Sequence, residues 1–288
     1  MSMSSLTEVT NQIQKFWSPV FQDQLKEDTL LPSLVNKEYS TNLVAGQQLK
    51  KGDTVRVSQY NRPTATRTTL GVDSDTFATS PINTSYVDLK LTKRITAAYE
   101  FEDIAELMSQ VDSNDPKMRQ TLFDAVALEL NDYLYEFVNP STSNPDHLIN
   151  GVTDFNATQI ATLRKLAAQA AWPRDNRWYI LADPSYYSDA LAAQTLTSAD
   201  YVNDAPVVGG QIVNRRFGFN ILEDNSRSTD YAIAFHPDFL LGVWTEPRFL
   251  LSSLHPNKQF GYVLSVDILC GATLGIDGNV KHIKVYNT

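Results

Sequence analysis

Gly52-Asp53-Thr54-Val55-Arg56-Val57-Ser58 and, further along, Tyr86-Val87-Asp88-Leu89-Lys90-Leu91-Thr92 are the two runs on which the fold turns. In each, apolar and polar residues alternate, and because successive strand side chains point to opposite faces this is the mark of a half-buried strand. Two long strands are therefore expected. The stretch between them, Thr64 to Thr84, is rich in Thr, Ser, Asp, Gly and Pro and reads as the tip of a long hairpin. A two-stranded ribbon is marginal in water when its apolar face has nothing to pack on, so something else must cover this one.

On the N-terminal side, residues 1–48 hold little more than one amphipathic segment. There Ile13, Phe16, Trp17, Val20, Phe21 and Leu25 recur mostly at spacings of three and four, and Pro19 interrupts them. Leu30-Leu31-Pro32 and Asn36-Lys37-Glu38-Tyr39 follow without a sustained period, as in an arm that needs a partner. On the C-terminal side comes the strongest helix signal, with Asp115 as N-cap and Pro116 at the first helical position. Its stripe is Met118, Leu122, Val126, Leu130, Tyr133, Leu134 and Phe137, and Asn139-Pro140 closes it. A rod on the order of 33 Å results, long enough to act as a spine.

Residues 150 to 240 alternate helix and strand. Asn156 with Gln159 resembles a capping box ahead of Ile160, Leu163, Leu166 and Ala170, and Trp172-Pro173 ends that helix. Trp178 to Ala182 is a near-continuous apolar strand, and Asp183-Pro184 opens a helix through Tyr187 and Leu191. Strands are expected at Gln211 to Val213, Phe217 to Leu222 and Tyr231 to Phe235, completing an α+β unit. The last stretch is expected to form a hairpin, Phe260 to Ile276 and Val280 to Val285, around an Asp277-Gly278-Asn279 turn.

With 288 residues, 42% hydrophobic and 20% charged, the chain has globular composition and is long enough for a sizeable core. A formal charge of −9 argues against a dedicated nucleic-acid binder, which would cluster Lys and Arg against phosphates. The single cysteine, Cys270, lies in an apolar run and reads as a small buried hydrophobe. Neither a signal peptide nor a membrane span is expected.

The chain holds no Gly-rich phosphate loop, His-Glu-x-x-His pair, Gly-x-Ser-x-Gly elbow or cysteine pair. His147, His236, His255 and His282 fall in four separate contexts, whereas zinc needs three or four converging ligands. Asp73-Ser74-Asp75 resembles the start of a calcium loop, but Ala78 and Thr84 stand where that loop needs Gly and Glu. Glu102 and Asp103 are neighbours and so point apart, which reads as surface charge. The basic pairs Arg215-Arg216, Lys93-Arg94 and Lys50-Lys51 read as solvated charge, or as partners for acidic groups on neighbouring copies or for DNA. No catalytic residue, cofactor or metal site is expected.

The order of these elements resembles the major capsid proteins of tailed bacteriophages, with their Hong Kong 97-type fold. The resemblance is carried by Phe16-Trp17-Ser18-Pro19-Val20-Phe21, Val35-Asn36-Lys37-Glu38-Tyr39 and the run from Gly52 to Val57. Val87 to Leu91, leading into Ala97-Ala98-Tyr99-Glu100-Phe101-Glu102-Asp103 and then the long helix, completes it. It implies an α+β fold with an N-arm (1–48), an extended E-loop hairpin (49–97), a P-domain with the spine helix (98–150 with 241–288) and an A-domain (151–240). It also implies hexamers and pentamers of the chain tiled into an icosahedral shell around double-stranded DNA. Further implied partners are a portal and scaffolding or decoration proteins, with weak nonspecific contact to the packaged DNA and none to a membrane. The implied location is the virion capsid, assembled in the host cytoplasm. The arm is too short for the cleaved scaffolding segment of some relatives, so a separate scaffold or none is expected. Some relatives cross-link Lys to Asn; Lys90 and Lys93 lie on the hairpin here, but nothing identifies a partner or a catalytic acid.

On this reading the assembly interface uses Phe16, Trp17 and Phe21 of the arm and Arg62, Arg67, Asp73, Asp75, Lys90, Lys93 and Arg94 of the hairpin. Ordering an arm and a hairpin with little core of their own costs on the order of 1–2 kcal/mol per residue in backbone entropy. Neighbouring copies can supply the burial, since obligate interfaces reach about 2,000–5,000 Å². Two other readings stand beside this one: an encapsulin-like protein compartment, and an oligomeric enzyme with a site near Trp178, Asp183 and His236.

Overall fold

The computed structural model describes residues 29–37, 54–65, 67, 79, 81–102, 116–138, 147–197, 215–226, 230–252, 261–275 and 281–287. Along the chain these form a short helix α1 (Leu31–Leu34), strands β1 (Thr54–Tyr60), β2 (Thr84–Lys90) and β3 (Lys93–Glu102), and the long helix α2 (Pro116–Val138). Next come β4 (His147–Asn150), α3 (Ala157–Gln169), β5 (Trp178–Ala182), α4 (Pro184–Ala192), α5 (Gln194–Thr197), β6 (Phe219–Glu223) and β7 (Tyr231–Phe235). A 3-10 turn (Pro237–Phe239) leads to β8 (Leu240–Trp244), β9 (Arg248–Ser252), β10 (Gly261–Leu274) and β11 (His282–Tyr286).

Helix α2 is the shared wall of the molecule. Leu122, Val126, Leu130, Tyr133 and Leu134 are buried as the helical stripe requires, with Met118 and Phe137 half-buried at its ends. On one side it covers a four-stranded sheet in which β10 pairs antiparallel with β3 along one edge and with β9 and β8 along the other. On the other it meets a mixed five-stranded sheet of order β4-β11-β7-β5-β6. Leu181, Tyr231, Ile233 and Phe235 face α2, while the alternate residues Ile180, Ala182, Ala232 and Ala234 face α3 and α4. Covered on both faces, β7 is buried at every position.

Local signals mostly hold. The Asn156 side chain accepts the Thr158 N–H and starts α3. That helix ends with Ala171 at φ 58°, where the Trp172 N–H reaches the Ala167 carbonyl and the Ala171 N–H the Ala168 carbonyl. This is the paired C-terminal motif that usually places glycine at the left-handed position. Asp183 caps α4 by accepting the Ser185 and Tyr186 N–H groups, and the same buried carboxylate accepts the N–H groups of Asp230 and Tyr231.

Three sequence readings need correction. The final hairpin does not form: β10 stays in the four-stranded sheet, and β11 leaves it to lie parallel to β4 and antiparallel to β7. Ile283 and Val285 bury there completely, in a slot with strands on both sides that β10 does not offer. The five-stranded sheet thus draws one strand from before residue 151 and one from after residue 240. Second, the arm is not wholly without a home in its own chain. Leu31 and Val35 are buried against α2 and β8, the Leu31 N–H donates to Asn131 Oδ1, and Lys37 lies 4.0 Å from the centre of the Trp244 ring. Third, Arg216 is not solvated charge: it is buried and donates to the Leu196 carbonyl.

Candidate assembly surface

Strands β1 and β2 form a separate ribbon in register from Thr54↔Lys90 to Tyr60↔Thr84. Its base is seated on its own chain. Val55, Val57, Leu89 and Leu91 pack with Leu241 and Val243 of β8, and the chain at Lys90 crosses β10 so closely that a Cβ at Gly271 would collide with the Lys90 carbonyl. Beyond Val57 the cover ends. Gln59 to Pro63 and Ile82 to Thr84 are exposed, and among the described residues nothing buries Tyr60 (76% exposed), Ile82 (85%) or Tyr86 (57%).

The ribbon is nevertheless stiffened. On its exposed face Arg56 makes two hydrogen bonds to Asp88 directly across, at 2.8 and 3.0 Å, and its guanidinium lies 4.1 Å from the centre of the Tyr86 ring. The hydrogen bonds that Arg56 donates hold the Asp88 carboxyl below its ordinary pKa and raise that of Arg56. An aromatic and an ion pair on one face give a projecting element a fixed shape, which suits recognition better than a loose loop does.

A second apolar surface lies on β9, where Phe249, Leu250 and Leu251 are all exposed and Arg119 of α2 sits over the Phe249 ring. Among the described strands β9 pairs with β10 alone. Below it Asp267 is held between Arg94 and Arg248, at 2.8 and 2.7 Å.

Of the expected interface residues, Phe16, Trp17, Phe21, Asp73 and Asp75 lie outside the described residues, as do His255, Lys50, Lys51 and the Asp277 turn. Arg62 and Arg67 are exposed just past β1, and Lys90 and Lys93 are exposed where β2 gives way to β3. Arg94 is exposed but already paired with Asp267 of its own chain. The surface residues that sequence reasoning missed are Tyr60, Tyr86 and the β9 triplet. Tyr60 and Tyr86 were legible in principle, since each falls on the polar phase of an alternating strand.

The residues of the enzyme reading do not converge. Asp183 follows β5 and His236 follows β7, and because these strands are antiparallel the two residues lie at opposite ends of the sheet, roughly 17 Å apart. His236 belongs instead to a polar cluster with Asp175 and Asp238, whose ligand-type atoms lie within 4.8 Å of one another. Its Nδ1 accepts the Asp238 N–H, so Nε2 carries the proton and donates to Asp175 at 2.9 Å. Arg177 bridges both acids, at 2.6 and 2.8 Å, and so supplies the positive charge that a metal ion would bring. Cys270 is fully buried, and burial pushes its thiol up to about 11, so it is an unreactive packing group. Among the described residues no helix is long and apolar enough to cross a membrane.

No protein-family model matches the chain and no curated protein matches it in sequence. Solved structures do match, over nearly the whole length. A chain from Mycobacterium phage Che8 superposes with a TM-score of 0.72 at 20% identity, covering 94% of this chain and 96% of that one. The capsid structure of cyanophage P-SCSP1u gives 0.72 at 13% identity, with 97% and 94% covered. The capsid asymmetric unit of cyanophage Pam1 gives 0.69 at 11%, with 99% of each chain covered. At these identities the likeness is one of fold: the chain has the α+β fold found in phage capsids.

Proposed function

We propose that this chain is a major capsid protein of a tailed phage, with the Hong Kong 97-type organisation, assembling as hexamers and pentamers into an icosahedral shell around double-stranded DNA. The observation that carries the reading is a full-length fold match to capsid chains combined with a ribbon whose outer half no described residue covers. In this reading residues 1–48 are the N-arm, 49–97 the E-loop, 98–150 with 241–288 the P-domain and 151–240 the A-domain. The P-domain segments then lend β4 and β11 to the A-domain's sheet. The work is mechanical, with no catalysis: each copy inserts its ribbon onto a neighbour, and burial repeated around a closed shell stabilises the container. Arg62, Arg67, Asp73, Asp75, Lys90 and Lys93, with Phe16, Trp17 and Phe21, are the side chains proposed to meet neighbours. A portal, and scaffolding or decoration proteins where needed, would complete the virion, with assembly in the host cytoplasm.

Negative-stain microscopy and sedimentation of the purified chain test this. Closed particles or capsomers are expected, and particles isolated from cells should contain DNA. A monomer under every assembly condition would overturn the reading, and particles filled with protein would turn it into a cargo compartment.

A further inference from the structure

The five-stranded unit carries a cleft of about 450 Å³ where β5 and β6 begin, lined by Arg164, Arg174, Asn176, Trp178, Phe217 and Gly218. Among the described residues two guanidinium groups and no acid line it, in a chain whose net charge is −9. Arg164 is pinned: it donates to the Phe217 carbonyl, and its guanidinium stands 5.5 Å from the centre of the Trp178 ring. Arg174 is exposed and makes no hydrogen bond or ion pair with a described residue, while the neighbouring Asp175 is already engaged by Arg177 and His236. Positive charge at this cleft is therefore left open.

The backbone around the cleft is unusual as well. Asn176 (φ 69°), Phe217 (φ 50°) and Gly218 (φ 88°) all occupy the left-handed region. Phe217 and Gly218 make a two-residue turn closed by the Arg216–Phe219 hydrogen bonds, a turn that favours Asn-Gly. A phenylalanine there is disfavoured by turn chemistry alone, and the residue is 42% exposed where it lines the cleft. Strained residues gathered around an uncompensated charged cavity are characteristic of ligand clamps.

We infer that this cleft binds an organic oxyanion, a phosphate or carboxylate group held by Arg174 and Arg164 with a flat apolar body resting on Phe217. Guanidinium forks match the paired oxygens of such groups, and the cleft volume lies in the range of small-molecule sites, roughly 300–1,000 Å³. The inference does not rest on the shell reading, since it is argued from Arg164, Arg174 and Phe217 alone. The oxyanion has two sources in reach of this chemistry: a free organic phosphate, or an acidic side chain of a second copy.

Calorimetric titration of the full chain, below its assembly concentration, with AMP, inorganic phosphate and N-acetylglutamate separates these. Saturable binding is expected, with AMP tighter than inorganic phosphate. Preference for N-acetylglutamate would keep the site and name the neighbouring copy as its source. Arg174→Ala, at an exposed position, is expected to weaken binding at least tenfold with its unfolding midpoint unchanged, while Lys165→Ala, exposed and outside the lining of the cleft, changes neither. Phe217→Asn keeps the turn and should bring AMP down to the level of inorganic phosphate. No saturable binding of any probe, equal binding by Arg174→Ala, or no difference between AMP and inorganic phosphate in the unsubstituted chain would overturn the inference.

Discussion

The five-stranded unit and the two-stranded ribbon both begin from strands rich in β-branched and aromatic residues, yet one closes on itself and the other stays open. In β7 every residue is buried, because α2 covers one face of the sheet and α3 with α4 the other. In β1 only Val55 and Val57 are buried, under a patch of β8, and past them no described residue covers either face of the ribbon. The lesson is about supply of cover: a strand becomes interior where the chain provides a second layer, and becomes a connector where it does not.

The contrast is broken most directly by truncation in the closed unit. Phe155 is fully buried and stacks on Tyr186, with ring centroids 5.2 Å apart, so Phe155→Ala is expected to cost about 3–5 kcal/mol in urea unfolding. Tyr86→Ala, on the bare ribbon, is expected to stay within about 0.5 kcal/mol in the monomer while particle yield falls. Equal losses of monomer stability would erase the distinction.

Gly271→Ala sharpens it. The added Cβ must push the Lys90 backbone away, at a cost of about 1–3 kcal/mol localised where the ribbon sits on β10. Hydrogen exchange should then quicken in Val55 to Tyr60 and stay unchanged in Trp178 to Ala182; acceleration in both would mean that ribbon and core unfold together.

A smaller effect comes from the Asp175 cluster. Burial works to raise that carboxyl, but hydrogen bonds from His236 and Arg177 outweigh it and hold it at about 2, below its ordinary 3.8. A depressed pKa stabilises the fold above the unfolded value, and the contribution is lost as pH falls through the folded one. The side chain is partly exposed, so solvent screening keeps the effect to no more than about 1 kcal/mol. Between about pH 5 and pH 2 the unfolding midpoint should fall more steeply for the native chain than for Asp175→Asn, and parallel curves would remove the cluster from the acid response. Smallest of all, Ala171→Gly should stabilise by about 0.5–1 kcal/mol, since glycine adopts φ 58° without strain; a loss of midpoint in thermal unfolding would show that the Ala171 methyl is packed after all.

Much of the scaffold was legible before any coordinates. Helix α2 begins at Pro116 and buries the stripe as read, with the expected cap Asp115 outside the described residues; β5 spans Trp178–Ala182 and β7 Tyr231–Phe235 as read, and Asp183 starts α4. The candidate surface was harder to see. Its exposed residues are defined by the cover they lack, and Tyr60 and Tyr86 differ from core aromatics only in what stands opposite them. Asn131 and Tyr135 show the same limit. Both are buried in α2 outside the apolar stripe, Asn131 holding Leu31 and Ser226 while Tyr135 donates to the buried Asp224.

The chain's own residue order determined which segments would be helix, strand or turn, because those signals act between residues a few positions apart. Only the tertiary structure decided that β11 abandons β10 for β4 and β7, that Leu31 and Val35 dock on their own core, and that the cleft at Arg174 is left uncompensated. Those outcomes depend on surfaces brought together from distant parts of the sequence, where burial and charge are settled by what finally lies opposite each residue.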